Sequence, residues 1–314
     1  MTGRILITPR SLTEPGAAAA AVLQPLLDRG FELVFGPAGR LPTEPELTAL
    51  LPGCTGYLAG VETISADVLR RAGSLRVIAR NGAGVDNVDL ATARRQGIAV
   101  ERAVGANAQG VAELALALML CGLRQIPASH TALREGRWVR LLGREADGLD
   151  LGIVGFGAVG RRLAAVTSGL RMRVRYHDVA AVDVAGISPP PKAASLATLL
   201  AESDVVSLHL PATAGGRPLL GPRELAALRP GAVIVNTSRA SLVDEAAMVA
   251  ALDAGHVGAF CTDVFADEPP RPGALLAHPR AVLSAHIGGY TSESSARAAG
   301  EAVRSLLAVL GGDG

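Results

Sequence analysis

Three side chains of complementary chemistry stand just past apolar runs in the C-terminal half of this 314-residue sequence. Arg239 follows residues 233–238, Glu268 follows residues 263–267 and His286 follows residues 282–285. A guanidinium grips a carboxylate or polarises a carbonyl, and an imidazole passes a proton near neutral pH. A carboxylate orients the imidazole and favours its charged form. Singly, each could be a surface or structural residue; together they suit hydride transfer to C2 of a 2-oxo acid, with His286 protonating the nascent alkoxide.

Hydride chemistry needs a carrier, and the sequence offers a place for one. Gly155-Phe156-Gly157-Ala158-Val159-Gly160 follows the apolar run 149–154. A strand ending there would turn tightly at Gly155, admit a pyrophosphate against the backbone at Gly157 and pack helix on strand at Gly160. The helix N-terminus would face the phosphates with unpaired N–H groups. Asp178 ends the next strand-like run, 18 residues past Gly160, close to the roughly 20 expected for the group that binds the adenosine ribose hydroxyls. Its charge would repel a 2′-phosphate, so NAD is favoured over NADP; Arg175, on the same run, weighs the other way.

These residues require a particular scaffold. Short apolar runs at 5–7, 33–35, 56–58, 76–79 and 98–100 alternate with helix-like stretches at 17–28 and 66–72. An alanine- and leucine-rich helix over 108–123 precedes the glycine loop, and further strands are expected at 205–210, 232–236, 259–263 and 281–285. The fold expected is α/β, with two doubly wound parallel-sheet domains and a cleft between them. One is a flavodoxin-like substrate domain of residues 1–100 and 287–314, which the last helix, 292–310, rejoins; the other is a Rossmann domain of residues 101–286 that binds the dinucleotide.

Composition narrows the rest. A hydrophobic share of 49% and a positive mean hydropathy suit well-filled cores, and a net charge of +1 gives no electrostatic drive toward nucleic acid or an anionic membrane. Cys54, Cys121 and Cys261 form no CxxC pair, so they read as buried thiols of a reducing compartment, and no metal site is expected. The apolar stretch 111–123 contains Glu113 and is too short to cross a bilayer, and the first ten residues do not read as a signal peptide. A cytoplasmic protein is the expectation.

A series of motifs now adds to this reading. Asn81-Gly82-Ala83-Gly84-Val85-Asp86-Asn87-Val88-Asp89, Asn107 with Val111-Ala112-Glu113, the glycine loop, His209-Leu210-Pro211, residues 236–245, residues 263–269 and His286-Ile287-Gly288 follow one another in order. In them the chain resembles the D-isomer-specific 2-hydroxyacid dehydrogenases, a short form of the D-3-phosphoglycerate dehydrogenase kind, along nearly its whole length. The resemblance implies that Arg239 binds substrate, Glu268 orients the histidine and His286 transfers the proton. It implies that the backbone of Gly82, Ala83 and Gly84 holds the substrate carboxylate, with Arg80, Asn81 and Asn107 beside it. Cofactor contacts would fall on Gly155, Gly157, Ala158, Val159, Gly160, Asp178, Leu210, Thr237, Ser238, Asp263 and Gly288, with Asp263 near the nicotinamide carboxamide.

The resemblance further implies a homodimer, and a small 2-hydroxy or 2-oxo acid such as 3-phosphoglycerate, hydroxypyruvate or glyoxylate as the reactant. Ala240, Ala285 and Val104 depart from the family's usual residues without removing a functional group. Ala59-Gly60 stands where phosphoglycerate enzymes often place an arginine and a serine. The length leaves no room for the regulatory domains that some of those enzymes carry, so feedback through such a domain is not expected. Glu268 argues against formate oxidation, where glutamine is usual. Phosphite oxidation, or a non-enzymatic NAD-sensing role like that of corepressors sharing this fold, are the alternatives.

Overall fold

The computed structural model describes residues 3–14 and 16–311. Two compact units emerge, one of Met1–Asn107 with Gly289–Gly314 and one of Ala108–Gly288. The first carries a parallel five-stranded sheet of β1 (Arg4–Ile7), β2 (Glu32–Phe35), β3 (Cys54–Ala59), β4 (Val77–Arg80) and β5 (Ala99–Arg102), in the order β2-β1-β3-β4-β5. Helices cover both faces, which is why β1, β3 and β4 read as unbroken apolar runs. Ile5, Ile7, Leu58 and Val77 pack with Leu23 and Leu26 of helix Ala17–Asp28 and with Val303 and Leu306 of helix Ser292–Leu310. Leu6, Tyr57 and Ile78 face the other way, against Leu47, Val68 and Leu69. Gly56 lets the last helix lie close, since a Cβ there would come within 3.0 Å of Leu310.

The seams differ from the boundaries expected at 100/101 and 286/287. β5 pairs with β4 as far as Arg80↔Arg102, and Ala103 N–H donates to Gly82 O at 3.1 Å, so the chain stays in the first sheet beyond residue 100. At the other seam, the N–H groups of Ile287 and Gly288 are held by Asp263 of the second unit.

The second unit carries a parallel seven-stranded sheet of β6 (Asp150–Val154), β7 (Arg173–His177), β8 (Lys192–Ala193), β9 (Val205–Leu208), β10 (Ala232–Asn236), β11 (Val257–Thr262) and β12 (Ala281–Leu283). Its order is β12-β11-β10-β9-β6-β7-β8, so the winding reverses between β6 and β9. Helix Ala108–Arg124 crosses one face beside helix Ala158–Thr167, burying Ala112, Ala115, Leu118 and Met119 in the core. Cys54 and Cys261 are buried as expected, but Cys121, on that helix, is only half-buried. Among the described residues no single helix is long and apolar enough to cross a membrane, and no cluster of His, Cys, Asp or Glu could hold a metal ion.

One feature of the second sheet sets up the site. His177, Val154, Leu208, Asn236, Thr262 and Leu283 are successive cross-strand partners, so β7, β6, β9, β10, β11 and β12 all end on a single row. The residue after each row position begins a loop at the carboxyl edge, where open parallel sheets bind their ligands.

Candidate active site

At the switch point, β6 gives way to the glycine loop. Gly155 has a φ of +88°, and a Cβ on it would come within 2.3 Å of the His209 carbonyl oxygen at the end of β9. A Cβ on Gly160 would lie 2.3 Å from the Gly155 oxygen, so helix Ala158–Thr167 can start against the strand only with glycine there. At Gly157 a Cβ would meet nothing within 4 Å. The three glycines thus divide into two that the fold demands and one that leaves space in front of a helix N-terminus. Such a cradle fits a pyrophosphate.

Asp178 follows the row on β7. One carboxylate oxygen accepts from Phe156 N–H at 2.7 Å and the other from Ala180 N–H at 2.9 Å, which sets the carboxylate beside the glycine loop. Phe156 stacks on Tyr176 with ring centroids 4.4 Å apart. Arg175 points elsewhere, bonded to Asp150 at 3.0 Å and to Glu202 at 2.5 Å. It is engaged within the fold, and the carboxylate is left to set cofactor choice.

Beyond β9, Leu210 is half-buried. His209, just before it, shares a 2.8 Å hydrogen bond between Nε2 and Ser207 Oγ, while its Nδ1 is buried without a hydrogen-bond partner. Burial pushes the imidazole down to about 3, so it is neutral at physiological pH. Beyond β10, the buried Asn236 side chain staples the loop, donating to Arg239 O at 2.9 Å and accepting from Ser238 N–H at 3.1 Å. Ser238 Oγ donates to Leu208 O at 2.7 Å, Arg239 Nη1 donates to Ser238 O at 2.8 Å, and Thr237 Oγ1 is buried with no hydrogen-bond partner.

His286 and Glu268 meet, with Nδ1 2.7 Å from Oε2; the other Glu268 oxygen accepts from Phe265 N–H at 3.1 Å. Both side chains are partly open to solvent. His286 holds a φ of +51°, which a residue with a Cβ rarely adopts, and the neighbouring bonds show what enforces it. Its N–H donates to Asp263 O at 2.9 Å, and the buried Asp263 carboxylate takes Ser284 Oγ at 2.6 Å, Ile287 N–H at 2.9 Å and Gly288 N–H at 2.8 Å. Asp263 therefore spends its carboxylate on the turn that presents the histidine. The sequence marked Asp263 as a cofactor contact and gave no sign of this brace, which depends on two distant segments meeting.

In the first unit, Gly82, Ala83 and Gly84 are half-exposed past the end of β4. Arg80 is 4% exposed and donates from Nε to Gly84 O and from Nη1 to Ala59 O, both at 3.1 Å. Asn81 N–H donates to Ala59 O at 2.9 Å, and Asn81 Oδ1 is buried without a hydrogen-bond partner. Asn107 lies against Gly289, where a Cβ would fall 2.8 Å from its amide nitrogen. Arg80 ties together two loops, a role its position at a strand end did not reveal.

A seven-stranded parallel sheet with a glycine cradle at its switch point defines a dinucleotide-binding protein, and a histidine–carboxylate pair stands on the same edge. The family model described as "D-isomer specific 2-hydroxyacid dehydrogenase, NAD binding domain" matches residues 116–288, more than half of the chain. The chain belongs to the D-isomer-specific 2-hydroxyacid dehydrogenase family, and its second unit carries the NAD-binding domain. It is 36% identical to a hydroxypyruvate reductase of Thermotoga maritima over 79% of this chain and 82% of that protein. It is also 36% identical to the D-3-phosphoglycerate dehydrogenase of Mycobacterium tuberculosis over 87% of this chain, but spans only about half, 52%, of that relative's length. The solved TT0316 protein of Thermus thermophilus superposes with a TM-score of 0.87 at 38% identity, covering 98% of this chain and 97% of that one.

Proposed function

We propose that the protein is an NAD-dependent oxidoreductase that moves a hydride between nicotinamide and C2 of a small D-2-hydroxy acid or its 2-oxo counterpart. The observation that carries this reading is the 2.7 Å contact between His286 Nδ1 and Glu268, on the same sheet edge as the glycine cradle. NADH, when bound, supplies the hydride. With Nδ1 committed to Glu268, His286 offers Nε2: its N–H bond breaks and an O–H bond forms on the substrate oxygen as C2 is reduced, leaving the ring neutral. Arg239 can grip a carboxylate and polarise a carbonyl; within the first unit, the backbone N–H groups of residues 82–84 are suited to a carboxylate as well.

The names of relatives support small 2-oxo acids as reactants, among them the Thermotoga hydroxypyruvate reductase and a Paecilomyces glyoxylate reductase at 30% identity. The test is NADH oxidation against glyoxylate, hydroxypyruvate, pyruvate, 2-oxoglutarate and phosphohydroxypyruvate, with NADPH in parallel. Turnover of any of them with NADH establishes the reaction; silence across all of them, with NADH still bound, overturns it.

The partner proposed is a second copy of the chain. Trp138 is 82% exposed and Leu142 94%, in a stretch without helix or strand, and Ile126 and Leu133 are exposed on the helix before it. Apolar side chains so placed usually mark an interaction surface. Light scattering of the purified protein should give twice the chain mass, and Trp138→Asp with Leu142→Asp should give the chain mass.

A further inference from the structure

In the first unit the winding reverses between β1 and β3, so a ligand crevice is expected beyond their carboxyl ends. A buried carboxylate stands there. Glu62 is 4% exposed, and its Oε1 accepts from Tyr57 OH at 2.5 Å, from Gly60 N–H at 2.9 Å and from Thr8 Oγ1. Three donors converging on one oxygen are what an anion gathers. Burial, reinforced by the Glu62 charge, pushes the Tyr57 phenol well above its ordinary value, which keeps that proton on tyrosine. Oε2 is buried with no hydrogen-bond partner.

This carboxylate shapes the loop above it. A Cβ on Gly60 would lie 2.6 Å from Oε2, so residue 60 is bare where a side chain could otherwise reach a ligand. Ala59 is buried and Val61 is 65% exposed, so residues 59–61 offer no cation and no hydroxyl. The same segment is knitted to the proposed carboxylate loop: Arg80 bonds both Ala59 O and Gly84 O, and Asn87 Nδ2 donates to Glu62 O at 2.5 Å.

We propose that Glu62 is a specificity residue: its buried negative charge, beneath a loop stripped of cations, selects an uncharged group at the end of the substrate remote from its carboxylate and rejects a phosphate there. The proposal deepens the function proposed above and rests on it. Among three-carbon 2-oxo acids it favours hydroxypyruvate over phosphohydroxypyruvate, because a dianion near a buried negative charge is repelled and a hydroxyl is not.

The test compares kcat/KM for hydroxypyruvate and phosphohydroxypyruvate in the wild type, in Glu62→Gln and in Val61→Arg. The Gln carbonyl can keep the three donors while the charge is lost, so Glu62→Gln should raise the phosphohydroxypyruvate-to-hydroxypyruvate ratio on the order of tenfold, as expected for one unit charge in a protein environment. Val61→Arg leaves the core untouched and should shift the ratio the same way if Glu62→Gln fails to fold. A wild type that prefers phosphohydroxypyruvate overturns the proposal. So does an unchanged ratio in the folded variants, because a merely structural Glu62 would lower both activities together. If the wild type reduces no 2-oxo acid at all, the function proposed above fails and this inference falls with it.

Discussion

In the proposed reaction His286 can act only because other residues aim it. Glu268 fixes its Nδ1, and Asp263 fixes the left-handed turn on which it rides. His286→Ala should lower turnover by about 10²- to 10⁴-fold, the usual range for loss of a general acid–base group, and leave the Kd for NADH nearly unchanged. Stopped-flow kinetics with fluorescence titration of NADH checks both halves. At the cofactor side, Asp178→Ala removes the carboxylate that would meet a 2′-phosphate. The NADPH-to-NADH ratio of kcat/KM should rise by about tenfold or more, while an unchanged ratio would assign cofactor choice to another group. The places of Arg239, Glu268 and His286 past strand ends were legible in the sequence because each is a reactive residue just past an apolar run. Glu62 and the Asp263 brace were not, since neither sits in a recognisable spacing and both depend on contacts between segments far apart in the chain.

At the scale of elements, the glycine loop separates folding from binding. Gly155→Ala puts a Cβ into the His209 carbonyl and forces a positive φ on alanine, so it should cost about 1–3 kcal/mol or more in stability and abolish NADH binding. Gly157→Ala adds its Cβ in open space, so the melting temperature should hold while NADH binding weakens. Calorimetry and titration of the two variants separate these effects; equal losses of stability would refute the division. β10 announced itself as an apolar run with correct ends, while β9, expected to reach 210, stops at Leu208 and β11, expected from 259, begins at Val257; parallel strands covered on both faces carry no polar alternation to mark where they stop. β8, two exposed residues long, carries no such signal. Helix Glu44–Leu50 was missed although Thr43 and Glu46 form a capping box that the sequence displays.

Across the whole molecule, the end of the second sheet opposite the site is held by charge. Asp150 is bound by Arg173, Arg175 and Arg229, and these arginines, Arg173 first, hold its carboxyl well below the usual range against the opposing effect of burial. Its contribution is therefore complete above the ordinary carboxylate value near pH 4 and is lost as pH falls through the lower folded value. His209 acts earlier. Buried and held at about 3, it takes up its proton in the unfolded chain near pH 6.5 but in the folded one only far lower, so stability should fall as pH drops between those values. Denaturant melts from pH 7 to pH 3 should show the decline starting near pH 6. His209→Gln should flatten its upper part and Asp150→Asn its lower part, and a wild type whose stability is flat down to pH 4 would exclude the histidine contribution.

The common ending of six strands on one row has an evolutionary consequence. Reactive groups begin one to six residues past that line, so loops beyond it can be lengthened, shortened or rewritten without shifting the strands behind it. A deletion behind the line is another matter: removing one residue from β10 would draw Arg239 back by about 3.3 Å and turn every following side chain to the opposite face. The sheet is a ruler with a fixed zero, and a lineage built on it should diversify its chemistry by changing what lies past the mark while keeping the strand lengths constant.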